Sequence, residues 1–181
     1  MRAIINPYSC EHHWRTKFLP NWSLCSIPLA GKHFCEYGLD FLFGLNVDSV
    51  IVEDWANDSK TLRMTICNGR YIPMDVQYVK TSGYSNMAAL FKRNASFISE
   101  GEVLIFWGMV LPRSLNQGGL LDKLTPVEAE NKLEDGIYLH KDGKLFCCET
   151  ELRHINDIKS YFDQNFIMLD SSEGCSAWIY R

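Results

Sequence analysis

A chain of 181 residues that is 46% hydrophobic and 13% aromatic is long enough to bury a substantial core as one domain, which excludes a disordered region. A net charge of -4 and a pI near 5.7 offer no general attraction to nucleic acid or to an anionic membrane, so neither is expected as a partner. Seven cysteines, at positions 10, 25, 35, 67, 147, 148 and 175, are odd in number and form no C-x-x-C pair, the usage of reduced thiols.

The chain opens directly on a strand pattern, Ala3-Ile4-Ile5, with no basic region and apolar signal core ahead of it, and nowhere does it run about 18 apolar residues together. The expectation is a soluble cytoplasmic protein, in which the Asn-x-Ser triplets at Asn21, Asn57 and Asn94 are chance matches. The loop after the strand, Asn6 to His13, contains no glycine; Pro7 removes a backbone donor and Glu11 adds negative charge. Arg15 and Lys17 are the cations nearest this loop and are candidates to meet an anion, although solvated charge before a turn is the plainer reading. Cys10, His12, His13, Cys25, His33 and Cys35 lie close in sequence, but their spacing repeats no structural zinc pattern, and packed or hydrogen-bonded side chains are expected instead.

Pro28 and Gly31 mark a turn, and Phe34, Gly38, Phe41, Leu42 and Leu45 then recur at the spacing of one helical face. Asn46 to Ser49 breaks the pattern before Val50-Ile51-Val52, a β-branched run typical of a strand covered on both faces. With Ala3-Ile4-Ile5 in front, this is a βαβ unit. Thr61 to Thr65 and Tyr71-Ile72 read as a hairpin joined at Asn68-Gly69, and Gln77 to Val79 as a further strand. Met87, Leu90, Phe91 and Ile98 have helical spacing, and Val103 to Trp107 is the predicted central buried strand. Thr125-Pro126-Val127-Glu128 reads as a capping box opening a helix through Leu133 that Gly136 ends. A strand from Gly136 to Leu139, a hairpin turn at Asp142-Gly143, a strand at Leu145 to Cys147 and a last strand near Glu151 to Ile155 follow. Asn156-Asp157 starts a final helix with Ile158, Tyr161, Phe162 and Phe166 on its predicted inner face. Trp178-Ile179-Tyr180 is apolar, suited to packing on the sheet or to meeting a partner or further domain.

Met1 to Ile5 together with Leu24 to Val52 resembles the opening of the sugar-1-phosphate nucleotidyltransferases, which runs from a strand through a glycine-rich loop to a P-K-P-L-L-P-V-A-G-K-P segment and a helix. Here I-P-L-A-G-K stands at Ile27 to Lys32, and Glu36-Tyr37 and Leu39-Asp40 fall on similar residues of that helix. The resemblance extends over positions 77–111 and, more loosely, 136–166. It implies an α/β fold, a three-layer Rossmann-like mainly parallel sheet of the nucleotide-diphospho-sugar transferase type. It also implies one domain over 1–181, with 1–111 as the nucleotide-binding half and 112–181 as a shortened sugar-binding half with the C-terminal helix.

The residues that do the family's chemistry are largely replaced. Tyr8 and Cys10 stand where the resemblance places glycine, and Leu24 stands for a phosphate-contacting lysine, whose ammonium a leucine cannot replace. Lys32 matches the A-G-K lysine at the helix entry. Thr81 to Leu90 sits where relatives have a G-T-A-G-A-L turn into the helix that holds the base. Gly83 and Ala89-Leu90 match it and Tyr84 and Asn86-Met87 do not, so the candidate nucleotide contacts are Arg15, Lys17, Gly83 and Asn86. Met109 replaces the family's magnesium-binding aspartate, and a thioether is a poor ligand for that hard cation. Asp157 falls near a second metal-binding aspartate of the family, though starting a helix is the plainer reading of it. Twenty-four residues separate Leu111 from Gly136, an interval much longer in active relatives because it carries the sugar pocket.

The resulting expectation is a degenerate, non-catalytic nucleotidyltransferase-like domain acting in interaction or regulation, with itself or with an enzyme of nucleotide-sugar or surface-polysaccharide metabolism as partner. Two alternatives stand beside it. One is an active nucleotidyltransferase with a site rebuilt on Arg15, Lys17 and Asp157 and using Mg2+. The other is a domain that holds a nucleotide or sugar phosphate without turning it over.

Overall fold

A computed structural model describes residues 1–9, 13–20, 22–55, 74–81, 84, 86–113, 119–128 and 133–170. In chain order the elements are β1 (Arg2–Asn6), α1 (His13–Phe18), β2 (Pro28–Leu29), β3 (Lys32–His33), α2 (Phe34–Gly44), β4 (Ser49–Trp55) and β5 (Asp75–Thr81). They continue with α3 (Met87–Arg93), α4 (Ala95–Ser99), β6 (Val103–Trp107), β7 (Val110–Pro112), β8 (Leu124–Val127), β9 (Gly136–Lys141), β10 (Lys144–Cys148), β11 (Leu152–His154) and α5 (Ile158–Asp170).

Seven strands form one mixed sheet in the order β5-β4-β1-β6-β9-β10-β8. From β5 to β6 every pairing is parallel, whereas β9, β10 and β8 extend the sheet antiparallel. The α/β Rossmann-like expectation holds, with a parallel core and an antiparallel wing. Alternation along β1 divides the core: Ala3 and Ile5 pack with Leu39, Phe41 and Leu42 of α2, while Ile4 packs with Met87, Leu90 and Ile98 of α3 and α4. Helices on both faces make the three layers. A Cβ on Gly38 would come 3.1 Å from Cδ1 of Ile5, so the glycine lets α2 lie close against β1. All five residues of β6 are buried, as the continuous apolar run Val103 to Trp107 predicts for a central strand.

A second apolar cluster lies outside this sandwich. It joins Tyr8, Trp14, Leu24, Ile27, Leu29, Phe34, Met109, Leu111, Ile155, Tyr161 and Met168, drawn from α1, the β2–β3 hairpin, the β7–β11 pair and α5. Hydrogen bonds fix the hairpin to α5: Tyr161 Oη donates to the Pro28 carbonyl at 2.8 Å, and the Ala30 amide donates to Asn165 Oδ1 at 2.8 Å. Ala30 holds a φ of 44° and Gly31 one of 88°, the left-handed pair that a two-residue hairpin turn requires.

Three expectations change. The capping box at Thr125 does not open a helix; Leu124–Val127 is edge strand β8, paired with β10. Its Thr125 hydroxyl donates to Glu149 Oε1 at 2.6 Å, and Pro126 is tolerated because β8 ends the sheet, where a missing N–H interrupts no second ladder. The helix predicted from Met87 through Ile98 is two helices that break at Asn94, whose amide donates to the Leu90 carbonyl and to Glu53. The last helix forms, but Phe162 and Phe166 point outward, because Tyr161, Asn165 and Met168 take the inner face beside Ile158. The hairpin expected at Thr61 to Ile72 and the apolar stretch Trp178-Ile179-Tyr180 lie outside the described residues.

Candidate functional site

In an open α/β sheet, ligands bind outside the carboxyl ends of the strands where the strand order reverses. Here the chain leaves β1 to build β4 and β5 on one side, then returns with β6 on the other. The carboxyl ends of β1, β4 and β6 therefore define the candidate site.

Asn6 ends β1 and Glu53 and Asp54 lie at the end of β4, all buried. A carboxylate in that position must find donors, since an unpaired buried charge costs several kcal/mol. Glu53 finds four. Oε1 accepts from Arg93 Nε at 3.1 Å and Asn94 Nδ2 at 2.7 Å; Oε2 accepts from Arg93 Nη2 at 2.7 Å and from Asn6 Nδ2. The two oxygens offer about four lone-pair sites and all are used, so Glu53 has no free capacity for a metal ion or a substrate proton. Asn6 is held in turn by the Tyr8 amide, which donates to its Oδ1 at 2.7 Å.

Above the strand ends, Tyr8 and Met109 close the crevice. Tyr8 is 1% exposed and its hydroxyl donates to Asp54 Oδ1 at 2.7 Å; Met109 is 0% exposed. The Gly108 amide donates to the Asn6 carbonyl at 2.8 Å, and the Ile155 amide donates to the Met109 carbonyl at 3.0 Å, binding both neighbours of the crevice into the fold. Ser9 Oγ donates to Asp135 Oδ1 at 2.5 Å across the same end of the sheet. Gly108 has a φ of 85°, and a Cβ there would collide with the Asp135 carboxyl group. Among the described residues, the charged side chains gathered here are Glu53, Asp54 and Asp135 with Arg93, whose guanidinium is committed to Glu53.

The chain is matched by no protein-family model, and by no curated protein. Among solved structures it is similar to a UDP-glucose pyrophosphorylase complexed with UDP-glucose, at 12% identity and a TM-score of 0.48, over 66% of this chain and 49% of that one. The chain thus spans about half the length of that protein. A likeness this distant assigns no ligand to this chain.

The candidate residues from the sequence sit on separate elements. Arg15, on α1, donates from Nη1 to the Trp22 carbonyl at 2.7 Å, and Lys17 is exposed with Nζ 5.4 Å from the Phe18 ring. Asn86 caps α3, its Oδ1 accepting from the Ala89 amide at 2.9 Å. Asp157 precedes α5 and its Oδ1 accepts from the Ser160 amide at 2.6 Å; these hydrogen bonds hold its carboxyl below the usual value. Gly83, Cys10 and His12 lie outside the described residues. α1 and α5 meet through Trp14 and Tyr161, with ring centroids 5.5 Å apart, which puts Arg15, Lys17 and Asp157 on neighbouring elements and Asn86 elsewhere.

Lys32 Nζ pairs with Asp40 at 2.7 Å along the start of α2, and Leu24 is fully buried in the second apolar cluster. Cys25 and Cys35 are buried, and desolvation pushes both thiols up, away from the thiolate a soft metal needs. Among the described residues, three positions offer magnesium no free carboxylate: Met109 presents a thioether, the Asp157 carboxylate caps a helix, and the oxygens of Glu53 are saturated. Sequence reasoning missed the Asn6–Glu53–Arg93–Asn94 network. The signal for it was Glu53-Asp54, two carboxylates directly after the run Val50 to Val52.

Proposed function

We propose that this chain is a nucleotidyltransferase-like domain that keeps the α/β scaffold and no longer catalyses, acting in interaction or regulation within nucleotide-sugar or surface-polysaccharide metabolism. The observation that carries the reading is the closure of the switch-point crevice by Tyr8 and Met109 over a saturated Glu53. A triphosphate bound in the manner of the resembled family would have to displace a buried tyrosine and a buried methionine, then lie against Asp54 and Asp135. Removing a buried aromatic side chain from its packing costs about 3–5 kcal/mol, comparable to the whole free energy of a millimolar ligand.

Thermal unfolding with a panel of nucleoside triphosphates and sugar phosphates, with and without magnesium, tests the reading. No shift of the midpoint at millimolar ligand is the expected result. A magnesium-dependent rise accompanied by pyrophosphate release overturns it in favour of an active enzyme. A rise without magnesium and without turnover overturns it in favour of a binding domain.

A further inference from the structure

We draw no further inference here: the strongest candidate, the open cleft on the antiparallel wing of the sheet where Val127 and Leu133 meet Tyr138 and Cys147 beside Glu128 and Glu134, joins an apolar floor to two carboxylates, and nothing among the described residues shows what covers it.

Discussion

Glu53 concentrates the chemistry of the crevice in one buried carboxylate. Its partner Arg93 approaches with two guanidinium nitrogens, and Asn6 and Asn94 supply the remaining donors. Removing the cation alone leaves a charge in the core with two amides for company. Arg93→Met is therefore expected to lower stability by about 3 kcal/mol in urea denaturation, whereas Glu53→Gln combined with Arg93→Met recovers a large part of that loss. Equal loss in the single and double variants would show that Arg93 matters only through packing. Beyond the two adjacent carboxylates Glu53-Asp54, none of this network was legible in advance. The apolar run that signals a strand stops at Val52, Glu53-Asp54 has the composition of a turn, and the residues that neutralise Glu53 lie 40 and 41 positions later on a helix end.

At the scale of elements, structure written in local chemistry was readable and structure decided by a distant neighbour was not. The β9–β10 hairpin belongs to the first kind: Asp142 and Gly143 adopt φ of 51° and 72°, the turn that Asp-Gly favours. A Cβ at Gly143 would meet nothing within 4 Å, so Gly143→Ala carries only a conformational penalty. It is expected to destabilise by about 1 kcal/mol in denaturant titration, and an unchanged midpoint would contradict the left-handed geometry. The β8 strand belongs to the second kind. Thr125-Pro126-Val127-Glu128 satisfies every local rule for a helix start, yet the free edge of β10 and the Glu149 carboxylate recruit the same residues into a ladder. On α5, spacing alone admits two apolar faces. The hydrogen bonds of Tyr161 and Asn165 to the β2–β3 hairpin choose one and leave Phe162 and Phe166 outside.

Across the whole molecule, the βαβ opening and the central strand followed from periodicity, because burial on both faces leaves continuous apolar runs and burial on one face leaves a helical stripe, while the α/β class was what the family resemblance implied. The state of the site followed only in part. Substitutions at Tyr8, Leu24 and Met109 were visible as departures from a resembled family, but a sequence does not show whether a replaced ligand leaves a gap or fills it. In the folded chain these three side chains join one apolar cluster that α1, α5 and the β2–β3 hairpin complete over the strand ends. Among the described residues no helix is long and apolar enough to cross a membrane. The Met109 methyl group, fully buried at the centre of that closure, is the natural reporter. Methyl-labelled methionine NMR, with the Met109 signal assigned through Met109→Leu, is expected to show no movement of that signal as magnesium and nucleoside triphosphates are titrated to about 5 mM. A saturable, magnesium-dependent displacement of it would contradict the account, because a triphosphate would then be entering the space that the protein's own side chains are held to occupy.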